Sequence, residues 1–294
     1  MSIVIVGKLG NDWGIEGLIA RHVSEFVNLR IIDIKEFNLG KFSSDDNFVF
    51  IQGRGIDRDL LRLYRGKKVL WNAEFLPYKG FEDNQEALAR LYAIEPLEDF
   101  DLILNGCPLS TKFLKEIRNL NIEWFPMMGA DSLFHRRDCD IPKDTDIGFY
   151  GAVSQRRIKI WHELIRVVSK YSIGSLKLAW KQVYGKDLIR FINSCKVVLN
   201  IHYSDLLNTE SRIYEILGCG VFCLSEPVSY PDLFLDGKHL KIEGEDGFLK
   251  AAIDFSSFRR TEAKQIARQG YEYVHDKFGI QKVMSNLIKR IECL

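Results

Sequence analysis

Lys196-Val-Val-Leu-Asn-Ile201, then Asn208-Thr-Glu-Ser-Arg-Ile-Tyr-Glu-Ile-Leu-Gly-Cys-Gly220, then Val221-Phe-Cys-Leu-Ser225 form the passage on which the fold turns. Two short apolar runs bracket a segment with helical spacing, which reads as strand, helix, strand. Asn208 or Thr209 can cap the helix at its start, and Gly218 or Gly220 can end it. Strands alternating with helices in this way build parallel sheets.

The alternation continues on both sides. A strand at Ile147–Tyr150 leads into a helix over Arg157–Lys170, with Ile158, Trp161, Ile165 and Val168 at helical spacing. A strand near Leu176–Ala179 and a helix at Lys186–Ser194 follow, and the chain beyond Asp246 is mostly helical. Upstream, strands are expected at Ile3–Val6, Leu29–Ile32, Phe48–Ile51, Lys68–Trp71, Leu102–Leu104 and Ile122–Phe125. The charged, proline-containing segment from Arg136 to Asp146 interrupts the pattern. The expectation is an α/β protein of two Rossmann-like domains, residues 1–140 and 141–294, facing a cleft.

Composition narrows the partners. The 41 basic and 40 acidic residues leave a net charge of +1, so a nucleic acid or membrane surface would have to be met by a local patch. Six cysteines (Cys107, Cys139, Cys195, Cys219, Cys223, Cys293) show no framework spacing and no C-x-x-C pair, which suits reduced thiols. The start, MSIVIVGKLG, lacks the basic and long apolar regions of a signal peptide, and no run approaches a membrane span. A cytoplasmic location is expected.

The helix after Asn208 carries the chemistry. Ser211, Arg212 and Glu215 share one face, while Ile213, Ile216 and Leu217 point elsewhere. A hydroxyl, a guanidinium and a carboxylate beside a helix N-terminus suit a nucleoside diphosphate, with N–H groups and Arg212 for phosphate oxygens and Glu215 for ribose hydroxyls. The same face alone would also serve as a solvated Arg–Glu pair. Two further strand ends tip the balance. Phe149-Tyr-Gly-Ala-Val-Ser-Gln-Arg-Arg157 is a strand, a small-residue turn at Gly151 and a helix opening on two arginines. Asn200 and His202 close the strand before the Ser211 helix. In open α/β sheets ligands bind at the carboxyl ends of strands, so these three ends converge on an anion site.

These blocks, Ile147-Gly-Phe-Tyr-Gly151 with Arg157, Cys195–His202, Ser211–Gly220 and Leu233-Phe-Leu-Asp-Gly237, resemble the successive motifs of the CgeB-like, "group 1" glycosyltransferases. The resemblance takes in Trp71-Asn-Ala-Glu-Phe-Leu-Pro77, where the family tends to have aspartate at Glu74, and Gly129-Ala-Asp-Ser-Leu-Phe134. It covers roughly residues 68–280 and implies a GT-B enzyme whose C-terminal domain binds a nucleoside diphosphate sugar as co-substrate, with no separate cofactor. Glu215 would hold the donor ribose, Arg157 and Arg212 the diphosphate. One departure stands out. Related retaining enzymes often carry two glutamates eight positions apart, and here the first of those positions is Leu207. The sugar is therefore expected to be held differently, and the stereochemical outcome does not carry over.

On the N-terminal side, glycines 7, 10, 14 and 17 miss the G-x-G-x-x-G fingerprint, which counts against a nicotinamide-dependent oxidoreductase. Asp12, Glu16 and Glu74 are candidates for the general base that an inverting transfer needs. In Arg54–Lys68, the residues Arg58, Arg62 and Arg65 are expected on one helical face, and Arg54, Arg58 and Arg62 are candidate acceptor contacts. Such a stripe would suit a polyanionic acceptor, duplex DNA with modified bases included, as against a glycan or small molecule. The D-x-D triplets at Asp99, Asp138 and Asp144 are badly placed relative to the strands, and the histidines lack ligand spacing, so no bound metal is expected. The rival from another class is a nucleotide-sugar-binding protein without transferase activity.

Overall fold

A computed structural model of the chain describes residues 3–9, 29–126, 137–172, 174–180, 183, 185–207 and 211–294. It divides into two compact units, Met1–Met128 with Gln281–Leu294, and Gly129–Ile280.

The first unit is built on six parallel strands in the order β2-β1-β3-β4-β5-β6. They are β1 (Ile3–Gly7), β2 (Leu29–Asp33), β3 (Asn47–Ile51), β4 (Lys68–Asn72), β5 (Leu102–Asn105) and β6 (Ile122–Trp124), each end within a residue of the hydrophobic run that predicts it. Every residue of β1 and β3 is buried, as in a sheet covered on both faces. Around α1 (Ile34–Phe37), Phe37 meets Phe48 and Phe50 edge to face at 5.2 and 5.0 Å. Such aromatic pairs add to their burial by about 0.5–1.5 kcal/mol each. The α-helices described between β3 and β6 are α2 (Arg58–Leu63), α3 (Gln85–Tyr92) and α4 (Pro108–Ile117).

The second unit carries five parallel strands, ordered β11-β10-β9-β7-β8. Here β7 is Thr145–Tyr150, β8 Leu176–Ala179, β9 Cys195–Asn200, β10 Phe222–Ser225 and β11 Lys241–Ile242. Its helices are α5 (Gln155–Tyr171), α6 (Gly185–Ser194), α7 (Ser211–Gly218), α8 (Glu245–Ile253) and α9 (Arg260–Phe278). The apolar face of α5 differs from expectation. Trp161, Leu164 and Val168 are buried, whereas Ile165 is 40% exposed. The inward stripe passes through Arg157 one turn earlier, so a charged residue occupies a position that hydrophobicity alone assigns outward.

The last helix, α10 (Ile280–Glu292), crosses the expected boundary. From Gln281 onward it belongs with the first unit, where Arg290 pairs with Glu123 and lies 5.1 Å over the Phe125 ring. Periodicity shows that such a helix has an apolar face but not which sheet receives it.

No described helix is long and apolar enough to cross a membrane. Of the six cysteines, Cys107, Cys195, Cys219 and Cys223 are buried, and Cys139 and Cys293 exposed. Burial pushes the Cys195 thiol up to about 11 and that of Cys223 to about 12. Since the thiolate is the reactive form, titration of the native protein near pH 8 with a thiol reagent should label Cys139 and Cys293 quickly and the other four only on unfolding. Rapid labelling of Cys195 or Cys223 in the folded chain would contradict this packing.

Candidate functional site

In the second unit the chain leaves β7 to one side for β8 and returns to the other side for β9. The carboxyl ends of β7 and β9 are therefore the topological switch point, where open α/β sheets form a ligand crevice. Gly151 follows β7 directly, and Ile201 and His202 follow β9.

Gly151 has a φ of +148°, a value that side chains rarely adopt. A Cβ there would lie 2.8 Å from Arg212 Nη2 and 3.2 Å from Arg157 Nη1. The turn thus presses its bare backbone against two guanidinium groups. Both arginines also stand about the Phe149 ring, at 5.4 Å for Arg157 and 5.3 Å for Arg212. Arg212 further faces Tyr150, and Arg157 faces Tyr203, each at 5.4 Å.

The arginines are held from below. Arg212 Nη1 donates to Asn200 Oδ1 at 2.9 Å and to Ile201 O at 3.3 Å. Asn200 is fully buried and donates from Nδ2 to Ser225 Oγ at 2.9 Å, so its amide joins β9, β10 and α7. Arg157 is only 2% exposed. It donates from Nε and Nη2 to Ile201 O at 2.9 and 2.7 Å and from Nη1 to Ala152 O at 3.1 Å. Arg157, which the resemblance assigns to the diphosphate, is turned inward and ties the two strand ends together. His202 is likewise anchored. Its backbone N–H donates to Glu226 Oε2 at 2.7 Å, and its ring Nε2 carries a proton to Pro227 O at 2.7 Å.

Ser211 opens α7, and Glu215 lies one turn further on. Tyr150, from the end of β7, donates its hydroxyl to Glu215 Oε2 at 2.5 Å. Burial, and then the Glu215 charge, hold the Tyr150 phenol well above its ordinary value, so it stays a donor. One carboxylate oxygen is thereby pinned. Gly151, Arg157, Asn200, Arg212 and Glu215 are all brought together, as the motifs imply.

Sequence reasoning missed three members of this constellation. Tyr150 reads as an ordinary strand residue. Arg156 sits beside Arg157 in the quoted motif, yet it is Arg156 that makes an ion pair with buried Glu226 and a second with Asp205 at 3.2 Å. Glu226 has no local signal, because its partner lies 70 residues away.

Asp12 and Glu16 of the first unit lie outside the described residues, as do Gly129–Phe134 and the capping candidates Asn208 and Thr209 of the second. Glu74 follows β4 and is clamped. Arg54 Nη2 meets its Oε1 at 3.0 Å and Arg90 Nη1 its Oε2 at 3.2 Å. Glu74, one of the three candidates for a general base, thus carries a guanidinium on each oxygen. Arg54 is delivered by a tight turn after β3, with positive φ at Gln52 (62°), Gly53 (63°) and Gly55 (77°). A Cβ on Gly53 would come within 2.5 Å of the Leu70 side chain. The Glu74 turn is fixed by buried Asn72, which donates to Glu74 O at 2.8 Å and to Asn105 Oδ1 at 2.7 Å.

The expected basic stripe does not form. Helix α2 ends at Leu63, so Arg65 lies beyond it. Arg58 turns inward to donate to Ile94 O and stacks 4.9 Å over Phe100. Arg62 pairs with Asp99 at 3.0 Å and Asp59 at 3.4 Å. The D-x-D carboxylates serve local partners too, Asp101 accepting from the Lys68 N–H at 2.7 Å. Among the described residues no group of His, Cys, Asp and Glu is arranged to hold a metal.

Residues 149–289 match a family model described as glycosyl transferase-like. Over 225 residues, 74% of this chain, the sequence is 25% identical to an uncharacterized protein of Acanthamoeba polyphaga mimivirus, and the match spans 66% of that protein's length. Among solved structures, Anabaena HepE in complex with UDP and glucose superposes with a TM-score of 0.69 at 12% identity over 100% of both chains. Sucrose-phosphate synthase from Thermosynechococcus elongatus does so with a TM-score of 0.68 at 11% identity, again over 100% of both chains. The likeness is one of fold: two parallel-sheet, Rossmann-like units of the GT-B type.

Proposed function

We propose that the chain is a glycosyltransferase that takes a sugar from a nucleoside diphosphate sugar bound at the β7/β9 switch point and passes it to an acceptor hydroxyl. The observation that carries this reading is Gly151 lying bare against the guanidinium groups of Arg157 and Arg212. A diphosphate laid along this turn meets Arg212 and the first N–H groups of α7 beside Ser211, with the Arg157 charge beneath. The glycosyl transferase-like match covers this same stretch, and HepE, of the same fold, has been solved with UDP and glucose. Kinship with CgeB-like enzymes is part of the proposal, resting on the motif order.

The chemistry follows from charge. As the glycosidic bond breaks, negative charge gathers on the leaving diphosphate, and preorganised guanidinium and N–H donors stabilise it. Glu215, with Oε2 fixed by Tyr150, presents Oε1 to a ribose hydroxyl. Asp12 and Glu16 remain the proposed bases for an inverting transfer.

Incubation of the chain with a panel of nucleotide sugars, without acceptor, should release free sugar slowly from one of them. Turnover should survive excess EDTA, because the phosphate charge is met by arginines and a helix N-terminus. Loss of turnover in EDTA, restored by magnesium or manganese, would overturn the metal-independent part. Tight nucleotide-sugar binding with no hydrolysis and no transfer would favour the binding-protein reading.

A further inference from the structure

In the first unit, at the carboxyl ends of β3 and β4, a cleft of about 310 Å³ is lined by Arg54, Glu74, Glu86, Ala89, Arg90 and Ala93. That volume lies at the small end of ligand clefts, roughly 300–1,000 Å³, and suits about one sugar-sized ring. Its polar wall is a chain of alternating charge: Arg54 to Glu74, Glu74 to Arg90, and Arg90 to Glu86. Two cations and two anions sum to zero. The wall is braced by the left-handed turn at Arg54, by the Asn72 brace under Glu74 and by the Phe75 ring 5.2 Å from the Arg90 guanidinium. Arg54 Nε is buried and has no hydrogen-bond partner among the described residues. Beside Glu86 and Arg90 on the same helical stripe lie Ala89 and, just past the end of α3, Ala93, both exposed, as a small apolar ledge.

We propose that this cleft is a binding site for an uncharged polyhydroxyl ring, a neutral saccharide. A phosphate would meet guanidinium groups whose charge Glu74 and Glu86 already balance, and would itself lie against those two carboxylates. A cation would likewise lie against Arg54 and Arg90. A hydroxyl group donates to a carboxylate and accepts from a guanidinium at once, so it joins the wall without unbalancing it. The ledge meets the C–H face of the ring. The cleft therefore selects against polyanions, DNA among them. That this saccharide is the acceptor rests on the proposed function; that it binds here does not.

The test is calorimetric or ligand-observed NMR binding to the full chain of methyl α-glucopyranoside, maltose, glucose 6-phosphate and a short duplex DNA, with UDP as a separate probe. The neutral sugars should bind with dissociation constants up to about 10 mM, and more tightly than glucose 6-phosphate or DNA. The double variant Ala89→Leu/Ala93→Leu changes two exposed positions and fills the ledge. It should weaken the neutral sugars at least about tenfold and leave UDP affinity unchanged. Glu86→Gln should move preference towards glucose 6-phosphate, because Arg90 loses an anionic partner, a shift that a merely structural role would not produce. Absence of neutral-sugar binding to the parent, equal binding by the filled variant, or stronger binding of DNA would each overturn the proposal. Sugar binding without UDP binding would remove the proposed function and leave the cleft standing; UDP binding without sugar binding would do the reverse.

Discussion

Arg212→Ala should bind UDP about 100-fold more weakly than the parent, a loss of about 2.7 kcal/mol, within the range for a hydrogen bond to a charged group. Arg212 is placed by Asn200 and the Ile201 carbonyl so that its Nη2 stands against the bare Gly151 turn. Because Arg212 is 7% exposed, its removal also disturbs packing, and a folded control is needed. Arg212→Lys supplies one: it keeps the charge but not the two-pronged geometry, and should fall between parent and alanine. Calorimetry on variants whose circular dichroism matches the parent decides the matter. Unchanged UDP affinity in folded Arg212→Ala would remove the donor site from this turn.

Glu226→Ala should lower the stability of the second unit by about 3 kcal/mol, the low end for breaking a buried ion pair. Glu226 is 3% exposed, pairs with Arg156 and accepts the His202 N–H, so alanine leaves the guanidinium with Asp205 alone and the buried backbone donor without its acceptor. The low end is appropriate because Arg156 is 27% exposed and water can reach it. Glu226→Gln should cost less, since an amide still accepts the His202 N–H. Urea unfolding monitored by tryptophan emission measures the difference. A change below about 1 kcal/mol would mean that the pair behaves as a surface one.

The parallel strands and the convergence of the second unit's strand ends were legible in the sequence because both depend on local pattern. A buried strand needs a run such as Val197-Val198-Leu199, and a ligand turn needs a small residue such as Gly151 between a strand and a helix. The two-residue β11, Lys241–Ile242, is too short to leave such a run. The rest is non-local. Arg62 reads as a free surface cation until Asp99, 37 residues on, comes alongside it. Glu74 reads as a free carboxylate until Arg54 and Arg90 arrive from two different elements. Arg157 and Ile165 exchange their expected sides because carbonyls at a strand end can satisfy a buried guanidinium, which no hydropathy pattern records. The motif order picked out Gly151, Arg157, Asn200, Arg212 and Glu215, which the fold brings together; it could not distinguish Arg212, beside the Glu215 helix face, from Arg157, which ties strand ends together.

The most direct measurement is a crystal structure of the chain with UDP. The diphosphate should lie along Gly151 and the start of α7, within hydrogen-bond distance of the Arg212 guanidinium, and the ribose hydroxyls at Glu215 with the Tyr150 bond retained. UDP bound away from the carboxyl ends of β7 and β9, with Arg212 and Glu215 untouched, would contradict that placement.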